Sequence, residues 1–552
     1  MADTNANLRL DELRRREEEE LASILSQKYG ATYMDLSRVT INSEALRIIP
    51  EPVARDAEVA AFDLVSKKMS LAQRSPANPK VALLKAELGK KGYTFVDYMV
   101  SRASLESAWT RYKDLSFATE TKGGTIDISS GDLTKVISSI HTIEDITKQV
   151  SDISALERAY RISRIVEVVM GGGFATGASD VHIEPEKDDV RMRYRLDGVL
   201  QDVARFDHET HALLISRVKL LSGLKLNIHD HAQDGRFSVI LEGAEIEIRT
   251  SIIPNAYGES IVMRLLNPET ISVPFEGLGM EPRLRSLIEH EISKPNGMLL
   301  NTGPTGSGKT TTLYACLKRV ATSGVKVITI EDPVEYHVQG IVQTQVDKNY
   351  TFLQGLRAAL RQDPDIIMVG EIRDEEVART AIDAALTGHF VFTTIHTNNA
   401  AGTFPRLADL GVDPKVFPSA VTVAMAQRLV RRLCDECKKP VPLADALKDR
   451  ILGVVSGLRD KTVLPREPYV TYEAVGCEKC HHTGYRGRIG VFEAVVMDSE
   501  LDKLLRTSPS EREIRAYQKT KDLMLMHEDG VVKVLSGVST LEEVERVVLL
   551  GE

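Results

Sequence analysis

Residues 297–320 read GMLLNTGPTGSGKTTTLYACLKRV, and the fold is decided there. An apolar run, Gly297 to Thr302, leads into Gly303-Pro304-Thr305-Gly306-Ser307-Gly308-Lys309-Thr310, a complete G-x-x-x-x-G-K-[ST] loop. Thr311 and an amphipathic segment with Leu313, Ala315, Leu317 and Val320 follow. This order predicts a strand, a phosphate-binding loop and a helix. Gly303, Gly306 and Gly308 let the backbone curl so that its N–H groups face a phosphate, and the helix N-terminus adds positive potential. Lys309 supplies charge to the β- and γ-phosphates, and the Thr310 hydroxyl suits Mg²⁺. Gly303 through Thr311 are therefore the expected nucleotide contacts, with ATP and Mg²⁺ as the implied ligands.

Working outward, apolar strands alternate with helical patterns from about residue 271 to the end, the rhythm of a parallel α/β sheet. A phosphate loop needs an acidic partner for Mg²⁺ and for the attacking water. The run DIIMVGE ends in Glu371, as a Walker-B strand would, KVITIED ends in Glu331 and Asp332, and HFVFTTIH ends in His396. Ligands collect at the carboxyl ends of strands in such sheets, so these three runs deliver Glu371, Glu331 and His396 to one edge.

Ahead of this core, residues 155–270 open with a helical pattern and continue in short alternating strands such as VRMRYRLDGVL, which predicts an α+β domain. Residues 119–154 begin with the polar, Gly- and Ser-rich TETKGGTIDISSGD and are expected to be a linker. Residues 1–118 suggest a small N-terminal α/β domain. Within it, 8–28 form a charged helix with a sparse stripe of Leu13, Leu21, Ile24 and Leu25. Arg14, Arg15 and Arg16 stand four positions before Glu18, Glu19 and Glu20.

Charge and cysteines narrow the function. The net charge of -9 gives no general reason to expect a nucleic-acid binder. No apolar run approaches the roughly 20 residues of a membrane span, and the first residues lack a secretory h-region, so a cytoplasmic location is expected. Cys434 and Cys437 form one C-x-x-C and Cys477 and Cys480 another, while Cys316 stands alone. In a chain without an export signal the two pairs point to a metal site before disulfides, with unligated or redox-active cysteines as alternatives. Cys316, on the helix after the loop, is expected to pack in the core.

The runs GMLLNTGPTGSGKTTTLYA, ITIEDPVEY, LRAALRQDPDIIMVGEIRD and TTIHTNNA together resemble the type II secretion and type IV pilus assembly ATPases. In that family they are the Walker A loop, an acidic box, a Walker B strand with Glu for Asp, and a His box. ASDVHIEP, RYRLDGVL and AQDGRFS resemble the family's PAS-like domain. RLVRRLCDECKKP with CEKCHHTGYRGRIGVFE resembles its zinc-binding insert, placed at about 431–485. The resemblance implies an α/β, RecA-like core at 271–552 behind a PAS-like domain at 155–270. It implies Glu371 as the water-activating base, Glu331 as its support or the metal's, and His396 as a γ-phosphate sensor. Cys434, Cys437, Cys477 and Cys480 would hold Zn²⁺, and Arg217 and Arg236 would complete the site across the interdomain cleft.

The implied protein is an ATP-hydrolysing motor, most simply a hexamer, that assembles a pilus or secretion pseudopilus from the cytosolic face of the inner membrane. Its partners would be an integral platform protein and a membrane recruiting protein, without direct contact to nucleic acid. Competing readings are a pilus-retraction or conjugation ATPase, a RecA-like nucleic-acid motor, and a regulator that binds nucleotide without hydrolysing it. The extra N-terminal domain and the four cysteines favour assembly over retraction. Some family members bind cyclic di-GMP through the N-terminal domain. The Arg-Leu-Gly segment that opens that motif is not evident here, and partner docking is the expected role of 1–118.

Overall fold

A computed structural model describes residues 18–550 apart from 37–38, 40, 43–44, 47, 66, 115–118, 122–124, 128–129, 155–157, 242–243, 268–271 and 444. It divides into two compact units, one mainly of residues 1–119 and one mainly of 130–154 and 165–552.

The first unit has a four-stranded sheet in the order Thr32–Tyr33, Thr94–Met99, Lys68–Gln73, Val59–Val65. Its two central strands are parallel and joined by the helix Pro79–Lys90, which Asn78 caps and Pro79 opens. Trp109 closes the core and donates its indole N–H to Val59 O at 2.9 Å. Residues 18–29 are helical, and the sparse apolar stripe is largely solvated. Ala22 and Ser26 are buried, whereas Leu21 and Ile24 are 57% and 65% exposed. Leu13 and the three arginines at 14–16 lie outside the described residues. Glu19 accepts from Tyr33 Oη and Ser101 Oγ at 2.6 Å and from Ser104 Oγ at 2.9 Å.

The segment 119–154 is not the linker that its composition suggested. Thr125–Asp127 joins a sheet, and Ser130–Ser139 and Ile143–Ser154 are helices. Leu133 and Val136 on the first helix and Ile146 and Val150 on the second are buried, three and four residues apart, with Ile140 buried between the helices. They are received by Gly171 and Gly172 of the helix Arg158–Ala175, where a Cβ would come within 2.7 Å of Val136 and 2.9 Å of Ile146. Glycine on one helix is what lets the others approach.

The second unit holds two large sheets. An eight-stranded sheet, mainly antiparallel, contains Asp180–Pro185, Val190–Leu196, Val199–Phe206, Gln233–Leu241, Ala244–Asn255 and Gly258–Leu266. Alternation is strict along Val190–Leu196: Val190, Met192, Tyr194 and Leu196 are buried, and Arg191, Arg193 and Arg195 between them face outward. The other sheet has seven strands, ordered Val342–Gln345, Val327–Glu331, Ile366–Val369, Phe390–Ile395, Gly297–Thr302, Val421–Leu433, Tyr485–Val496. Its first six strands pair in parallel and the last is antiparallel. Gly297–Thr302, Val327–Glu331 and Phe390–Ile395 are buried along their whole length, as helices on both faces require. Among the described residues, no helix is long and apolar enough to cross a membrane.

Candidate nucleotide site and metal centre

Gly297–Thr302 lies between Phe390–Ile395 and Val421–Leu433, so the loop at Gly303 emerges at the carboxyl edge of the sheet. Gly303, Gly306 and Gly308 have φ of 151°, 78° and 88°, which side chains disfavour. The helix Lys309–Val320 starts without a side-chain cap, leaving its first N–H groups directed at the loop. Pro304, Thr305 and Gly306 are exposed, Thr310 and Thr311 are half-buried, and Ser307 is buried with an unpartnered hydroxyl. A polyphosphate fits this cradle. It would meet the orphan N–H groups, the Ser307 Oγ and Lys309, whose Nζ donates to Gly303 O at 2.7 Å and Pro304 O at 3.0 Å. Burial lowers the pKa of Lys309, with Arg428 adding to the fall and Glu371 opposing it.

Glu371 and His396 meet at the same edge, with His396 Nε2 3.1 Å from a Glu371 carboxylate oxygen. Arg373 pairs with Glu371 and reaches Asp332 at 3.4 Å. Thr302 Oγ1 lies 2.8 Å from Thr397 Oγ1, which stitches the His396 loop to the base of the phosphate loop. Glu331 is placed differently from the expectation. Its carboxylate is buried rather than open at the edge, and it accepts from Tyr314 Oη, Thr329 Oγ1 and Gln343 Nε2. Burial raises its pKa against the pull of these three donors. The exposed acid of that strand end is its neighbour Asp332.

The two arginines expected from the second region sit on its own elements. Arg236 is 73% exposed and 3.5 Å from Glu247 on the adjacent strand. Arg217 is half-buried on the helix His208–Leu221. The arginine that reaches the core sheet is one that sequence reasoning missed. Arg249 donates to Val334 O at 2.5 Å and lies 3.5 Å from Glu335, just beyond Asp332. It stands opposite Arg236 in the strand register, and its neighbours across the sheet gave no signal in the sequence. Arg428, also missed, opens the run RLVRRLC, whose resemblance is to the cysteine insert.

The four cysteines gather as expected. Cys434 and Cys477 Sγ are 3.8 Å apart, as are those of Cys437 and Cys480, and Cys477 and Cys480 Sγ are 3.7 Å apart. Four sulfurs at Zn–S bonds of about 2.3 Å in a tetrahedron would be separated by about 3.75 Å, so the cage fits zinc. Backbone N–H groups of Gly476 and Gly484 point at Cys437 and Cys480 Sγ at 3.3 Å, which stabilises thiolate. Residues 434–484 connect two neighbouring strands of the core sheet. Cys316 is fully buried among apolar side chains, and burial pushes its thiol up to about 12, as befits a packing residue.

A family model described as type II/IV secretion system protein matches residues 156–546. Type II secretion system protein E of Pseudomonas aeruginosa is 42% identical over 430 residues, 78% of this chain and 81% of that one. The type IV pilus assembly ATPase PilB of Myxococcus xanthus is 33% identical over 533 residues, 96% of this chain and 91% of that one. Among solved structures, the ATPase DotB of Yersinia pseudotuberculosis superposes with a TM-score of 0.52 at 19% identity, covering 71% of this chain and 94% of that one. DotB of Legionella pneumophila gives 0.50 at 21%, with 69% and 94% covered, and both likenesses are of fold.

Proposed function

We propose, from the premise that this chain belongs to the type II/IV secretion system protein family and is an ATPase, that it is the motor assembling a type IV pilus or type II pseudopilus. The observation that carries this reading is the Glu371–His396 pair, 3.1 Å apart at the sheet edge that presents the phosphate loop. Glu371 is the base that takes a proton from the attacking water, and His396 orients it and senses the γ-phosphate. Lys309 and the N–H groups of Gly303–Thr311 hold the phosphates, and Thr310 is the protein ligand for Mg²⁺. Magnesium, when bound, draws charge from the β- and γ-oxygens. Glu331 acts from beneath, holding Tyr314 and Gln343 behind the strand end.

Arg217 and Arg236 approach the nucleotide when the eight-stranded region closes on the core, as in hinge-driven enzymes. The active form is a ring, a hexamer by the family resemblance, and it works from the cytoplasm at the inner membrane through an integral platform protein and a membrane recruiting protein. The zinc site is structural, since four thiolates leave no open coordination position. The N-terminal unit is the docking part, and the relative aligned over 96% of this chain, which includes that unit, is a pilus assembly ATPase.

The test is phosphate release by the purified chain, alone and with inner-membrane vesicles from the source cell, with pull-down of the bound integral protein. Vesicles should raise turnover several-fold, and deletion of residues 1–118 should abolish that rise without abolishing basal hydrolysis. Stimulation by DNA instead of by membranes would overturn the assembly reading.

A further inference from the structure

The strand Val421–Leu433 pairs with the phosphate-loop strand as far as Ala426, opposite Thr302. The next two residues, Gln427 and Arg428, run on beneath the loop and send their side chains to opposite faces. Gln427 is internal: its Oε1 accepts from Asn301 Nδ2 at 3.0 Å and Thr312 Oγ1 at 2.9 Å. Arg428 lies against the first residue of the loop. A Cβ on Gly303 would stand 3.1 Å from Arg428 Nη1 and 2.6 Å from both Gln427 O and Ser307 Oγ.

The partners of this guanidinium are carbonyls. Nη1 donates to Gln427 O at 3.0 Å and Nη2 to Asn398 O at 2.7 Å, two residues past His396. Among the described residues neither Arg428 nor Lys309 forms a salt bridge, and Glu493 and Glu371 act on them only from farther away. Two half-buried cations thus flank the start of the loop, and each makes the other costlier to hold. Beside them the buried Ser307 hydroxyl has no partner. A half-buried positive pair with no carboxylate in direct contact, next to an orphan hydroxyl, is an arrangement that a polyanion completes.

We infer that Arg428 is a second cationic contact for the phosphates of the bound nucleotide, supplied by the same chain as Lys309. The inference rests on the assignment of Gly303–Thr311 as the nucleotide site. Arg428 also holds the backbone of the His396 loop, so the one guanidinium spans the phosphate cradle and the segment that carries the sensor.

The test compares the full chain with its Lys309→Ala, Arg428→Gln and Arg428→Lys variants, reading melting temperature and affinity for Mg-ATP and for inorganic tripolyphosphate. Arg428→Gln should melt close to the wild-type temperature without ligand, the loss of two carbonyl hydrogen bonds offsetting relief of the positive pair. Its affinity for both probes should fall about tenfold or more, the scale of one lost charge-assisted contact. A purely structural tether predicts the reverse, a lower melting temperature with normal affinity, and that result overturns the inference. Loss of binding in Lys309→Ala with none in Arg428→Gln overturns it alone. A wild-type chain indifferent to ATP overturns the nucleotide assignment as well. Should Arg428→Gln not fold, Arg428→Lys decides. It keeps the charge and should bind within about threefold of wild type, and a folded lysine variant as deficient as Lys309→Ala sinks the proposal.

Discussion

The phosphate loop and the cysteine cage each surround a charge that comes from elsewhere, one negative and one positive, but they are supported in different ways. The loop grows from a strand buried along its whole length and paired on both sides. Its glycines, its floor at Gln427 and its uncapped helix are all held by the core sheet. The cysteines lie on two tight turns beyond the paired part of Val421–Leu433 and Tyr485–Val496, linked by a two-stranded ribbon, Lys439–Pro442 with Val470–Glu473. Their closest contacts are one another and a few N–H groups. The core sheet thus holds the first site, whereas the second, on the zinc reading proposed above, is held by its metal. Emptying the loop should cost function and leave structure, whereas emptying the cage should cost structure first.

The largest effect expected is on hydrolysis. Lys309→Ala and Glu371→Gln should each lower phosphate release by about 10²-fold or more, with melting temperatures close to wild type. They should differ in binding: the lysine change weakens ATP affinity and the glutamate change leaves it. A Glu371→Gln chain turning over at the wild-type rate would remove the catalytic assignment. A large fall in melting temperature for either would break the claim that the sheet alone supports the loop.

The converse holds for the Cys434→Ser, Cys437→Ser double variant. Elemental analysis should find one zinc per chain in the wild type and none in the variant. Urea unfolding and limited proteolysis at residues 443–469 should show a local loss on the order of several kcal/mol. Nucleotide binding should survive. A variant that kept both metal and protease resistance would refute the site.

Arg217→Ala and Arg236→Ala ask whether the phosphate site is self-contained. With Arg236 73% exposed and 3.5 Å from Glu247, its removal should hardly change stability. If closure brings it to the γ-phosphate, hydrolysis in assembled rings should still fall by about tenfold or more while ATP remains bound. Normal turnover in both variants would make Arg249, already in contact with Val334 O, the better candidate for coupling the two sheets.

These contrasts follow what the sequence made legible. The loop, its strand and helix, Glu371, His396 and the four cysteines could be found because each belongs to a motif with fixed local spacing. The helices at 130–154 were lost because a Gly- and Ser-rich start outweighed the periodic Leu133, Val136, Ile140 and Ile146 that follow, and the glycines that receive them lie some thirty residues away. Arg428 and Arg249 were invisible for a related reason. Each acts through partners distant in sequence, Asn398 and Val334, and only strand order brings those together. Charge at a strand end was readable, but not whether its side chain would turn inward, and Glu331 turned inward.

That burial sets the last and smallest prediction. Glu331 accepts from three neutral donors, yet burial still raises its pKa, so the folded chain binds a proton there more readily than the unfolded chain. The sign follows: this group's contribution to stability is greatest below the ordinary glutamate pKa and declines as pH rises through the folded value. Glu331→Gln removes that dependence while keeping the shape and one acceptor oxygen. Relative to wild type, the variant should gain stability as pH rises above the ordinary glutamate range, on the order of 1 kcal/mol, the usual size of a single-residue effect. Paired urea titrations across that range measure the difference directly, since other carboxylates cancel between the two chains. Hydrolysis supplies the other half of the test. A support acting through Tyr314 and Gln343 predicts a modest loss of turnover with unchanged pH dependence of the rate. If turnover instead collapsed as in Glu371→Gln while stability gained nothing, Glu331 would have to open toward the metal during the cycle, and the closed network would be only its resting state.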